Sequence, residues 1–121
     1  MIDIIAAIAI LMQIESTGNP KAIGDNGASI GVLQIQEIYV RECNRFAGVD
    51  TFTYEDRWSV RKSKLMTAVF LRGQLKKYRN RFGMDPSLQL LLESHQSGCI
   101  FKKCTPSYRI KVSRAIGRLK N

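Results

Sequence analysis

The chain has 121 residues, 45% of them hydrophobic and 24% charged, which suits one folded domain and excludes a disordered or low-complexity polymer. Its net charge of +9 is unevenly spread: Met1 to Asp56 holds 3 Lys/Arg against 8 Asp/Glu, and Arg57 to Asn121 holds 16 against 2, so the halves stand at −5 and +14. Such a basic half attracts polyanions, whether nucleic acid, anionic lipid or an anionic cell-wall polymer, without choosing among them.

The opening run MIDIIAAIAILMQIE is shorter than the roughly 20 apolar residues a membrane-spanning helix needs. It carries Asp3 and lacks the basic start of an export signal, so no signal peptide or transmembrane segment is expected. A helix from Ile2 to Ser16, buried on every side, is predicted instead, stopped by Gly18 and Pro20. A loop with Gly24, Gly27 and Gly31 leads through VLQI to a second helix, Gln36 to Ala47. GVDTFTYEDRW, with its aromatic and β-branched residues, reads as extended.

Ser59 is the expected N-cap of a long basic helix to Phe82, with Val60, Ala68, Leu71, Leu75, Tyr78 and Phe82 as its apolar stripe and Gly83 as its stop. Asp85, with Pro86 at the first helical position, is the expected cap of the next helix. TPS at Thr105 to Ser107 starts the last, whose Tyr108, Val112, Ala115, Ile116 and Leu119 share a face. There is no repeat or linker. The expected fold class is mainly α, one compact helical domain over residues 1–121 with at most a small extended segment.

Three cysteines, Cys43, Cys99 and Cys104, and a single histidine, His95, make no zinc pattern, and no metal or other cofactor is expected. A Cys99–Cys104 disulfide suits an oxidising compartment; free buried thiols are the preferred reading.

Glu15 is the residue that asks for a chemical reason. A carboxyl at the end of a buried apolar helix is partly desolvated, which favours its protonated form. A protonated carboxyl facing a cleft is what glycosidic cleavage requires, because the leaving oxygen must receive a proton as the sugar becomes oxocarbenium-like. The glycines that follow allow a tight turn and close approach of a substrate to the backbone. On pattern alone, a Glu before a Gly-rich loop is more often structural.

ESTGNPKAIGDNGASIGVLQI, residues 15–35, resembles the signature of the lysozyme-like lytic transglycosylases, in which E-S opens the motif, N-P follows, and a small-residue turn precedes G-x-x-Q-I. TYEDRW, starting at Thr53, resembles a segment common in phage and bacterial members, and SYRIKV, starting at Ser107, resembles the Y-x-x-K-V that closes many of these domains. The resemblance runs from about Ile5 to Val112. It implies a lysozyme-like fold with a sugar-binding groove and cleavage of the MurNAc–GlcNAc linkage of peptidoglycan.

Carried over residue by residue, the resemblance makes Glu15 the catalytic general acid and then the base, with Ser16 steadying the helix end. Ser29 stands at a small polar substrate contact, although SIG replaces the family's S-G. Gln34 matches a glutamine that binds sugar, with Ile35 packed beneath it. Tyr54 matches the tyrosine that hydrogen-bonds and orients the acid, and Tyr108 lines the site or packs in the core. Where members read A-Y-N-A-G-P, this chain reads SHQSGC at Ser94 to Cys99. There Gln96 replaces a substrate-binding asparagine, and His95 is read as a groove or packing residue.

The implied reaction is that of a peptidoglycan lytic transglycosylase. Glu15 protonates the glycosidic oxygen, the substrate's N-acetyl group supports the positive charge, and Glu15 then deprotonates the C6 hydroxyl that closes a 1,6-anhydro ring. Asp25, Glu55 or Asp56 would instead activate water in a lysozyme-type muramidase. A non-catalytic cell-wall-binding protein on the same scaffold is the alternative without chemistry. The expected partners are glycan strands and, through the basic helices, the anionic wall surface, with no specific nucleic acid. The chain is expected to act as a monomer on the bacterial cell wall, in the periplasm or delivered by a virion, as a phage endolysin or virion component would.

Overall fold

In the computed structural model, residues 2–119 are described. They form helices α1 (Ile4–Ser16), α2 (Glu37–Ala47), α3 (Val60–Phe82), α4 (Leu88–Ser97) and α5 (Pro106–Leu119), with a short antiparallel pair, β1 (Ile23–Gly24) and β2 (Ser29–Ile30), between α1 and α2. The chain is thus mainly helical with one small extended element. Lys120 lies outside the described residues.

Helix α1 is capped by Asp3, whose side chain accepts from the Ala6 amide at 3.2 Å. It ends at Thr17, a left-handed residue (φ 52°) whose amide donates to the Gln13 carbonyl, while the Gly18 amide donates to Met12. Burial on every side is not what the helix achieves. Ala7, Ile8, Ile10 and Leu11 are buried, whereas Ile5 is 82% exposed and Ala6, Ala9 and Gln13 face outward with it. The helix packs on α3, α4 and α5.

The central element is α3, which touches α1, α2 and α4. Ser59 caps it as expected, accepting from the Lys62 amide at 3.2 Å. The predicted stripe is corrected: Leu71 and Leu75 are buried, Ala68 and Tyr78 half-buried, and Val60 and Phe82 exposed. The buried face also holds Ser63, Met66, Thr67, Phe70 and Gln74. Two of these polar side chains find partners there: Ser63 Oγ donates to the Arg57 carbonyl at 3.0 Å, and Gln74 Oε1 accepts from the Ile100 amide at 2.8 Å.

The segment read as extended is instead a 3-10 turn, Tyr54–Trp58. A capping box makes it helical: Asp56 Oδ2 accepts from the Thr53 amide at 2.9 Å while the Thr53 side chain accepts in return from the turn's backbone. Gly31 (φ 83°) seats the β2 region on this turn, for a Cβ there would collide with the Arg57 carbonyl oxygen. Only glycine suits both demands.

The cap of α4 is Ser87, which accepts from the Leu90 amide at 3.1 Å; Asp85, the expected cap, pairs with Arg79. Pro106 opens α5 as expected, with Thr105 Oγ1 accepting from the Tyr108 amide at 3.3 Å. On α5, Tyr108, Val112 and Ala115 are buried, Ile116 is half-buried, and Leu119 is exposed. All three cysteines are free thiols, with Cys43 and Cys104 buried and Cys99 half-buried. Among the described residues no helix is long and apolar enough to cross a membrane.

A candidate active site at the end of the first helix

The C-terminal end of α1 is tied to the segment that follows by Ser16. Its hydroxyl donates to the Val32 carbonyl at 2.7 Å and accepts from the Asn19 amide at 3.0 Å. This fixes the last turn of α1, and so Glu15, against residues 29–35. Every non-glycine residue of positive φ among those described, Thr17, Asp25, Asn26 and Gln34, falls in the stretch just after Glu15. Strained backbone gathers where surrounding contacts hold a site in place.

Glu15 lines a groove of about 610 Å³ together with Asp25, Ser29, Gln34 and Gln36 and with His95 to Cys99 of the α4 terminus. Its side chain is only 16% exposed. Tyr108, reaching in from α5, donates to Glu15 Oε2 at 2.7 Å. Burial first, and then the charge of Glu15, push the Tyr108 phenol well above its usual range, so Tyr108 keeps its proton and acts as donor. With Oε2 so occupied, Oε1 is the oxygen without a hydrogen-bond partner, and a proton carried there is the one available to a ligand.

His95 lies behind the carboxyl, with Nε2 3.7 Å from Glu15 Oε2. Its nearest partners fix its tautomer. Nε2 is 2.8 Å from the Leu33 carbonyl oxygen, which can only accept, so Nε2 bears hydrogen and donates. In the neutral ring Nδ1 then accepts from the Tyr39 hydroxyl, 2.9 Å away. Burial, followed by the neighbouring Cys43, raises the Tyr39 phenol well above its ordinary value, which keeps it a donor. Tyr39 is braced by stacking on Phe70, ring centres 4.1 Å apart. Thus His95 ties α4 to α2 and to the loop before it, at the back of the groove.

The remaining expected residues divide between groove and scaffold. Ser29 is buried and donates to Asp25 Oδ2 at 2.5 Å, and the Gln36 amide donates to Ser29 Oγ at 3.2 Å and to Asp25 Oδ2 at 3.4 Å. Gln34 lines the groove but spends its amide hydrogens on the Ala22 and Gly31 carbonyls at 3.1 and 3.0 Å, leaving Oε1 as its free atom. Gln96 lines the groove and accepts from the Thr105 amide at 3.2 Å.

Tyr54 is not brought to the acid. Its hydroxyl accepts from Arg41 at 2.9 Å, and the Arg57 guanidinium sits 5.7 Å from its ring centre. The tyrosine that holds Glu15 is Tyr108. Of the other carboxylates considered, Asp25 lines the groove with Glu15, while Asp56 is engaged as a cap and pairs with Lys62 at 3.0 Å. Residues not anticipated from sequence also line it: Gln36, Ile38, Tyr39, Glu42, Lys77 and Lys102. Glu42 and Lys77 face each other at 3.7 Å. Their only signal was location on helices whose mutual packing was still unknown. Among the described residues no cluster of His, Cys, Asp or Glu is arranged to hold a metal ion.

Compared with known proteins, the chain matches no protein-family model, no curated protein and no solved structure. The case for a function therefore rests on its own residues.

Proposed function

We propose that this protein is a lysozyme-like peptidoglycan lytic transglycosylase, cleaving the MurNAc–GlcNAc β-1,4 bond with Glu15 as its single catalytic carboxyl. The observation that carries the reading is a half-buried glutamate at the groove wall whose Oε2 accepts from Tyr108, within a motif that resembles the family's. A protonated Glu15 gives its Oε1 proton to the glycosidic oxygen as the C1–O4 bond breaks. The 2-acetamido oxygen of the sugar supports the charge at C1. The glutamate, now anionic, removes the C6 hydroxyl proton as O6 bonds to C1, which closes the anhydro ring and restores the acid.

Tyr108 keeps the carboxyl in one orientation through both halves of this cycle. Gln34 Oε1, the Gln96 amide and the Ser29–Asp25–Gln36 group supply acceptors and donors along the groove for sugar hydroxyls. The site of action in this reading is the bacterial wall, reached as a phage lysin or virion component would reach it.

One observation favours a second reading. Asp25 shares the groove with Glu15, and a carboxylate there would activate water for lysozyme-type hydrolysis. Mass analysis of peptidoglycan digests separates the two, since anhydro products are one water lighter than hydrolysed ones. Dominant anhydro ends support the transglycosylase, and dominant reducing ends assign Asp25 the water-activating role. A digest left unchanged removes both.

A further inference from the structure

No step of the proposed cleavage uses His95, the single histidine of the chain. Its side chain is 2% exposed, and Nε2 stands 3.7 Å from Glu15 Oε2. That is too long for a full hydrogen bond, yet near enough for the positive end of the N–H dipole to act on the oxygen in a site with little water. A tie between helices accounts for the ring's bonds to Leu33 and Tyr39. It gives no reason for the same ring to set its N–H beside the carboxyl that Tyr108 holds.

Tyr108 alone does not decide which carboxyl oxygen bears the proton. A hydroxyl can turn: faced with a proton on Oε2, Tyr108 can swing its own hydrogen aside and accept instead. A ring N–H has one direction. Nε2 lies 2.8 Å from the Leu33 carbonyl oxygen, so a ring with a bare Nε2 would set two lone pairs against each other. The other side of the ring adapts without disturbing this. Nδ1 meets the Tyr39 hydroxyl at 2.9 Å. The Thr67 hydroxyl lies close enough to Tyr39 to act on its ionisation, and its buried oxygen has no hydrogen-bond partner among the described residues. With the ring neutral, Tyr39 donates to Nδ1. A ring that takes a second proton is accommodated, because Tyr39 then turns its hydrogen to Thr67 Oγ1 and accepts from Nδ1–H. In both states Nε2 keeps its hydrogen, and that hydrogen keeps its direction.

We propose that His95 is a positioning residue for the acid: its fixed Nε2–H, together with Tyr108, keeps the carboxyl's proton off Oε2 and so on Oε1, where the glycosidic oxygen takes it. This rests on the reading of Glu15 as the acid and deepens it. His95 itself neither gives nor takes a proton in the cycle. Once Glu15 has given up its own, the same N–H turns its positive end to the anionic carboxylate until the C6 hydroxyl proton arrives.

The test compares His95→Gln with His95→Asn in the full chain. Both substitutions supply a side-chain amide, but that of glutamine reaches the place of Nε2, where the Leu33 carbonyl selects its NH2 group, and that of asparagine reaches only the place of Nδ1. Steady-state kinetics on a soluble glycan should give His95→Gln a kcat within about threefold of wild type and His95→Asn a kcat lower by about tenfold or more, with KM in both within about twofold of wild type. A scaffold role would lower the stability of both variants and leave no such difference in kcat. Equal kcat in the two folded variants, or a change confined to KM, overturns the inference and leaves the reading of Glu15 in place. Nitrogen NMR of the wild-type imidazole, a single signal set in a chain with one histidine, is independent of how either variant folds. The neutral ring should carry its proton on Nε2 with Nδ1 bare, and a neutral ring protonated on Nδ1 overturns the inference. Wild-type protein that cleaves no glycan overturns the reading of Glu15, and the inference with it.

Discussion

Glu15 is held by one hydrogen bond from one residue, so Tyr108 is the position at which the account is most exposed to a single-atom test. Tyr108→Phe keeps the ring in the core and removes the donor to Oε2. With the carboxyl free to rotate, kcat should fall roughly ten- to a hundredfold, equivalent to about 1.4 to 2.7 kcal/mol of a hydrogen bond to a charged group, with KM little changed. Steady-state kinetics on a soluble glycan checks this. An equal fall for Tyr54→Phe, whose hydroxyl meets Arg41, would instead argue that this turn reaches the site. The resemblance implied Glu15, Ser29 and Gln34 at one groove, and they line it, as they lie within a short stretch whose turns bring them together; His95, read as a groove or packing residue, joins them. It gave the bond to the acid to Tyr54 and left Tyr108 to line the site or pack in the core, because both are aromatic residues far from Glu15 in sequence. Only the packing of α5 against α1 decides which one reaches it.

At the scale of elements, local signals were legible where a side chain bonds its own backbone neighbourhood. Ser59 caps α3 where the sequence put it, and α5 starts within the expected TPS, with Thr105 accepting from the Tyr108 amide. The stripe on α3 was not legible, because Ser63, Thr67 and Gln74 are buried with it, Ser63 and Gln74 on the strength of bonds to Arg57 and Ile100, and no periodicity of apolar residues marks them. The turn at 54–58 was missed for a different reason: aromatic and β-branched composition favours strand, yet two reciprocal hydrogen bonds between Thr53 and Asp56 close a turn.

Those bonds have a pH signature. The Thr53 amide, and after it the Lys62 ammonium, hold the Asp56 carboxyl below its ordinary value. A depressed carboxylate contributes stability that is present above its unfolded pKa of about 3.9 and is lost as pH falls through the folded value. Asp56→Ala should therefore cost about 1 kcal/mol at pH 7, as loss of a cap does. The deficit relative to wild type should shrink in acid, as pH falls from the unfolded value through the depressed folded one. Urea unfolding at pH 7 and in acid reads it, and a deficit that is the same in acid would show that the carboxylate's charge is not what holds the turn.

For the molecule as a whole, the division of charge into an acidic first half and a basic second half survives folding only in part. Lys77 and Lys102 reach the groove and Glu42 meets Lys77 there, so the basic half is not confined to a surface remote from the site. Arg61, Lys64, Arg72 and Lys76 are exposed on α3 and do not line the groove. Their field is screened over roughly 8 to 10 Å at physiological ionic strength. Activity on intact walls should fall with added salt while turnover of a short uncharged glycan hardly changes, and changing these four residues to Gln should reproduce the salt effect on walls. Equal losses on both substrates would place this face in the cleavage groove.

The central claim is that Glu15 gives and takes the proton in cleavage of a wall glycan. Its most direct measurement is mass analysis of purified peptidoglycan after incubation with wild-type protein and with Glu15→Gln protein of unchanged circular dichroism. The amide preserves the shape of the side chain and cannot deliver the proton. Wild-type digests should therefore contain fragments ending in 1,6-anhydroMurNAc, and the variant's digest should match the undigested control. Fragments released by the folded variant at close to the wild-type rate would contradict the assignment of Glu15.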